Sequence, residues 1–96
     1  MTELATLQLG GVLGASNVRT LGRRIAELIR SGHRDLVIDL SSVSELAPIC
    51  VGVLNRAVVE LRQVGGTLTL RGLDTASVRR LTGAGLHPSV RLFDRR

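Results

Sequence analysis

Leu36-Val37-Ile38-Asp39-Leu40 is a nearly unbroken apolar run that gives way first to a polar stretch, Ser41 to Ala47, and then to residues repeating at helical spacing. Such a run suits a central strand covered on both faces better than an edge strand. The next segment, Pro48 to Val64, is predicted to be a helix: Val51, Leu54, Val58, Leu61 and Val64 fall on one stripe, with Arg56, Glu60, Arg62 and Gln63 outside it. Strands and amphipathic helices alternate along the rest of the chain as well. The chain is therefore held to crossover connections and a partly parallel sheet covered by helices.

The other segments follow the same logic. Leu4 to Leu9 alternates, with Ala5, Leu7 and Leu9 on one side and Thr6 and Gln8 on the other, as a half-buried strand does. Gly10-Gly11 is the pattern of a tight hairpin turn, so Val12-Leu13 is expected to start a second strand pairing back on the first. After the loop Gly14 to Asn17, the residues Val18, Leu21, Ile25, Leu28 and Ile29 mark a helix, with Ser16 or Asn17 capping its start and Gly32 ending it. Gly65-Gly66 terminates the long helix, Thr67 to Leu70 reads as a strand, and Asp74 or Thr75 caps a short helix through about Thr82. A last strand is expected over Val90 to Phe93. The expected fold is α/β: one domain over residues 1–96, with a mixed β-sheet of about five strands covered by three helices.

Composition narrows the functions open to such a domain. Phe93 is the single aromatic residue, so the core must be aliphatic. All 13 basic residues are arginines and the formal net charge is +5, which can steer a domain toward nucleic acid, anionic lipid or an acidic protein surface. The arginines are scattered over helix backs and loops, which favours a solvated face over a basic docking surface. The single-strand readers of nucleic acid use aromatic platforms this chain lacks. The lone Cys50 excludes an internal disulfide, no apolar run is long enough for a bilayer, and the start lacks a signal-peptide pattern, so a cytoplasmic location is expected. His33 and His87 do not form a ligand spacing with Cys50, and no phosphate-cradling glycine loop or activated nucleophile motif is present. No metal, cofactor or enzymatic activity is therefore expected.

The stretch Asp39-Leu-Ser-Ser-Val-Ser-Glu-Leu-Ala-Pro-Ile-Cys-Val-Gly-Val-Leu54 resembles the signature of the STAS family, the sulfate-transporter and anti-sigma-factor-antagonist domains. The family loop reads approximately Asp-Leu-Ser-Gly-Val-Thr-Phe-Leu-Asp-Ser-Ser-Gly-Leu-Gly-Val-Leu, and a serine or threonine at the helix start is its phosphorylation switch. Asp39, Leu40, Ser41, Val43, Leu46, Gly52, Val53 and Leu54 match. The functional centre departs: the loop aspartate aligns with Ala47, the phosphoacceptor with Pro48, the next serine with Ile49 and the following glycine with Cys50. The upstream family element Gly-Glu-Leu-Asp appears as Gly11-Val12-Leu13-Gly14. The resemblance covers nearly the whole chain, and only the family's usual final helix is absent from the pattern.

The resemblance implies a non-enzymatic regulator of the anti-sigma factor antagonist type, docking an anti-sigma factor of the GHKL kinase class through the helix start. Residues implied at the contact are Gly14, Ala15, Ser16, Ser44, Glu45, Ala47, Pro48, Ile49, Cys50 and Val51, with 47–50 forming an exposed apolar knob that phosphate cannot switch. Two alternatives stand beside it: a small STAS subunit bracing the ATPase of a phospholipid-transport ABC system, and a basic nucleic-acid-associated domain. Cys50, in the first helical turn, is also a candidate redox thiol, since a helix dipole can lower a thiol pKa; against this stands the role of a small buried hydrophobe. Ser41, Ser42 and Ser44 are candidates for a displaced phosphosite, against the plainer role of loop residues bonding to local backbone. Self-association is left open.

Overall fold

A computed structural model of the chain describes residues 4–94. Met1 to Glu3 and the basic end Arg95–Arg96 lie outside the described residues. The elements run β1 (Leu4–Leu13), α1 (Val18–Arg30), β2 (Asp35–Leu46), α2 (Cys50–Gln63), β3 (Thr67–Leu73), α3 (Thr75–Gly83) and β4 (Arg91–Asp94). The four strands lie in the order β1-β2-β3-β4, and every neighbouring pair is parallel.

The hairpin expected at Gly10-Gly11 does not form. A two-residue reversal of the type I′ kind needs positive φ at both central residues, and of the pair only Gly11 adopts it, at 73°. The register instead slips on either side of Gly10 and Gly11, and the strand continues as one piece. Gly10 pairs with Ser42, Gly11 with Val43, Val12 with Glu45 and Leu13 with Leu46. Two corrections follow from this extension. Among the described residues the sheet has four parallel strands instead of a mixed set of about five, and Ser41 to Leu46, expected as loop, is strand because lengthened β1 offers it a partner.

One aliphatic core holds the layers together. Leu7 of β1, Leu36, Ile38 and Leu40 of β2, and Leu68 and Leu70 of β3 are buried against Leu21 and Ile25 of α1, Val51, Leu54, Ala57, Val58 and Leu61 of α2, and Leu81 of α3. Each fully buried leucine or isoleucine contributes about 2 kcal/mol by removal from water. Val64 was expected on this stripe but is exposed, because α2 ends one residue before it.

Only one sheet face is covered, contrary to the expectation for β2. Val37 and Asp39 on the other face are half-buried, and pairing aligns them in rows: Thr6, Val37, Thr69 and Arg91, then Gln8, Asp39, Arg71 and Phe93. Parallel sheets are normally covered on both faces. This open face is made tolerable by polar pairing across strands: Arg71 reaches Asp39 at 3.2 Å, and the Thr67 hydroxyl donates to Asp35 at 2.8 Å.

The termini of the helices follow local chemistry. Asp74 caps α3 by accepting the Ser77 amide at 2.7 Å, as the sequence suggests. Asn17 occupies the start of α1, yet its side chain turns back, accepting the Gly14 amide at 2.9 Å and donating to the Val12 carbonyl at 2.8 Å. It braces the β1–α1 turn and leaves the helix amides uncapped.

Glycine is required where β3 bulges. Gly72 has φ of 86°, and a Cβ there would lie 2.6 Å from the Ser41 amide nitrogen. Gly11 shares the positive φ but faces open space. Gly72→Ala is therefore expected to destabilise by about 3 kcal/mol or more and Gly11→Ala by only about 1–2 kcal/mol, compared by urea denaturation midpoints.

Candidate partner-docking site

Parallel strands β1 and β2 finish at the same edge of the sheet, and the turns that follow them stand side by side. In α/β folds this carboxyl edge is where ligands are usually met. The Ala47 amide donates to the Leu13 carbonyl at 2.8 Å, and Ala47 sits in ordinary contact range above Gly14. Beyond it the chain tightens into α2: the Cys50 amide donates to the Ala47 carbonyl and the Val51 amide to the Pro48 carbonyl, each at 3.0 Å. Pro48 fits because a position preceding the helix has no intrahelical use for an amide hydrogen. Two amides that could have greeted an anion at this helix start are thereby satisfied from within.

The residues expected at the contact divide into two sets. Ala15, Ser16, Ser44, Glu45, Pro48 and Ile49 are exposed, Ile49 by 54%, with Ala47 half-buried. Gly14, Cys50 and Val51 are buried, Cys50 completely at 0%. The expected knob at 47–50 is thus made of Ala47, Pro48 and Ile49. Cys50 shares the inward phase of α2 with Leu54, Ala57 and Leu61, and it belongs to the core. Of the two roles weighed for Cys50, the small buried hydrophobe fits on the same ground: burial pushes its thiol pKa up, opposite to what a reactive thiolate needs. One surface residue was missed by sequence reasoning: Val12, read as part of a hairpin, stands 55% exposed at the end of β1 and pairs with Glu45.

The upstream serines are not equivalent. Asp39 Oδ1 accepts from both the hydroxyl of Ser41, at 2.6 Å, and its amide, at 3.0 Å. Ser41 therefore does structural work, and Asp39 bonds local amide and hydroxyl. Those two bonds, with help from Arg71, hold the Asp39 carboxyl below its ordinary value. Ser42 and Ser44 are exposed. His33 and His87 do not assemble with other ligands, and no group of three potential metal ligands exists among the described residues. His87 is instead fixed by its neighbours, its amide donating to Asn55 Oδ1 at 2.8 Å.

With fold and site in place, comparison with known proteins becomes informative. Four parallel strands with helices on one face, and this signature loop at the carboxyl edge, define a STAS domain. The family described as "Mlab, STAS domain" matches residues 2–92, and the chain belongs to it. The unphosphorylated form of the anti-sigma factor antagonist SpoIIAA is similar at 20% identity, with a TM-score of 0.80 over 96% of this chain and 81% of that one. A putative anti-sigma factor antagonist from Thermotoga maritima gives 18% identity and a TM-score of 0.85, over 98% of this chain and 81% of that one. The phosphorylated form of the Bacillus SpoIIAA gives 18% identity and a TM-score of 0.72, over 96% and 84%. These likenesses establish the fold. No curated protein sequence matches. Among the described residues no helix is long and apolar enough to cross a membrane.

Two measurements check this geometry. Alkylation of Cys50 in the folded protein is expected to run at least about a hundredfold slower than in urea, since the thiol is enclosed and unactivated. Asp39 is expected to titrate below the ordinary aspartate value of 3.8 by carbon-detected NMR, and Ser41→Ala to move it upward. Because the folded pKa is the depressed one, its stabilising effect is present above the unfolded value and lost as pH falls through the folded one. Asp39→Asn should flatten the stability profile below about pH 4.

Proposed function

We propose that this chain is a non-enzymatic, protein-docking regulator of the anti-sigma factor antagonist type, gripping its partner through the edge formed by Val12, Ala15, Ser16, Ala47, Pro48 and Ile49. The observation that carries the reading is the exposure of Pro48 and Ile49 at the positions where the family motif has its phosphoacceptor and the next serine. A proline has no hydroxyl to phosphorylate, and an uncharged isoleucine presents apolar area to a partner groove. The contact is therefore lasting, without the change of about −1.5 to −2 charge that would repel a kinase partner at this site. The partner expected is an anti-sigma factor of the GHKL kinase class in the cytoplasm.

A second reading is favoured by the family match itself, whose description is "Mlab, STAS domain". In it, the same edge braces the ATPase of a phospholipid-transport ABC system, a role for which an unswitched contact is equally suited. The two readings differ in the partner, not in the surface.

Both are tested by titration calorimetry of the domain with the purified anti-sigma factor or ATPase encoded beside its gene. Ile49→Asp is expected to weaken binding about a hundredfold or more while leaving the melting temperature unchanged, since a charge at the centre of an apolar contact is unpaired there. Binding indifferent to that substitution would move the interface elsewhere. Radiolabel from ATP appearing at residues 41–49 with the kinase present would overturn the unswitched reading.

A further inference from the structure

The outer surface of the α1–α2 pair carries a feature that the docking edge does not use. Gly22, Ile25 and Ala26 of α1 and Val53 and Ala57 of α2 line a groove of about 250 Å³, walled on its α2 side by Arg56 and Glu60. It continues past Ala26 and Glu60 into a wider recess of about 510 Å³ lined by Ile29, Arg30, Gln63 and Val64. Small residues keep the channel open: a Cβ at Gly22 would come only to ordinary contact with Val53, and Val64 is left 48% exposed at the far end. The floor is apolar and the rim is basic.

On α1, Arg19, Arg23, Ala26 and Arg30 recur at the three- and four-residue spacing that puts them on one face. Arg19, Arg23 and Arg30 are exposed and have no ion pair among the described residues, unlike Arg56 with Glu60 and Arg71 with Asp39. Glu60 is the one carboxylate in the groove lining, and Arg56 meets it at 3.5 Å. That pair is exposed on the Arg56 side and adds little to stability. Glu27, exposed on the same helix four residues from Arg23 and three from Arg30, offsets part of this charge without an ion pair among the described residues, and the α1 rim stays net positive.

An apolar channel along two helices, with unpaired Arg30 in its lining and Arg19 and Arg23 on the adjoining face of α1, is complementary to one kind of ligand. We infer that the α1–α2 groove binds an acidic amphipathic helix of a partner protein, its apolar edge in the channel and its carboxylates on Arg19, Arg23 and Arg30. Arginine suits the rim because its planar fork meets carboxylates bidentately. Length agrees too, since α1 has 13 residues, roughly 20 Å, and a partner helix of about four turns would lie along it. A membrane surface is a poorer match: interfacial helices insert protruding apolar side chains, whereas this channel is concave, with Ile25 and Val53 set among Gly22, Ala26 and Ala57. Phosphate backbones would use the rim and leave the channel empty.

The probe is a fluorescein-labelled synthetic peptide of about 14 residues, with leucines along one helical edge and glutamates elsewhere, read by anisotropy at low and high salt. It is expected to bind the wild-type domain with an affinity that falls as salt rises. Ala26→Trp, which fills the channel, should weaken binding about tenfold or more, and so should Arg23→Glu combined with Arg30→Glu. Both arginines are exposed, so the second variant keeps the test open if the first fails to fold by circular dichroism. Ile49→Asp should leave peptide affinity within about twofold, which separates this surface from the docking edge. The inference is overturned if the peptide does not bind. It is equally overturned if a sequence-scrambled peptide without the apolar edge, phosphatidylglycerol vesicles or a DNA duplex binds as well and is insensitive to Ala26→Trp.

Discussion

The structure depends on one aliphatic seam, where Leu36, Ile38, Leu68 and Leu70 on a single sheet face meet Leu54, Ala57, Val58 and Leu61 of α2. No aromatic ring is available to fill space there, so close interdigitation of branched side chains must do it, and truncating one such residue costs about 2–5 kcal/mol. Among the described residues nothing polar or charged is buried. A core of that kind is held by packing alone, and the polar chemistry of the described residues lies at the turns, the helix backs and the open sheet face.

Parallel pairing then decides where those turns fall. Because β1 and β2 run the same way and β1 continues through its bulge to Leu13, the β1–α1 turn is carried up beside the β2–α2 turn. The Ala47 amide on the Leu13 carbonyl ties the two together, and the Asn17 side chain on Val12 and Gly14 braces the first. A reversal at Gly10-Gly11 would have left Pro48 and Ile49 without a neighbour, and the apolar edge would have been a single turn.

Legibility from sequence tracked how local the determining interaction is. The three helices were readable because their periodicity is their own, and the α3 cap because Asp74 and Ser77 are three residues apart. The length of β1 and β2 was not, since the sequence of Ser41 to Glu45 is polar and only pairing with a strand more than 30 positions away makes it extended. Covering of one face was hidden for a like reason: Val37 sits in an apolar run, yet its row is set by Thr6, Thr69 and Arg91 on other strands. At the site, Pro48 and Ile49 were recognisable as surface from the signature. The burial of Cys50, weighed as one of its two roles yet counted within the exposed knob, follows from its spacing to Leu54 and Ala57 once the helix phase is carried back to its first residue. The α1–α2 groove could not be foreseen, because it exists only when Gly22 and Ala26 are set opposite Val53 and Ala57.

Charge separates the surfaces as clearly as packing does. Eight of the 13 arginines lie on α1, α2 and α3, where the carboxylates are Glu27 and Glu60. The open sheet face instead pairs its own charges, Asp39 with Arg71, and the docking edge carries Glu45 as its one charged side chain. The formal net charge of +5 is therefore a property of the helical layer, and a balance of this kind steers acidic surfaces toward the helix backs. An uncharged contact at the apolar edge gains nothing from such steering and is slow to form, but its dissociation is insensitive to salt. On the two proposed surfaces, recruitment through arginines and retention through Ile49 are steps that ionic strength would tune independently.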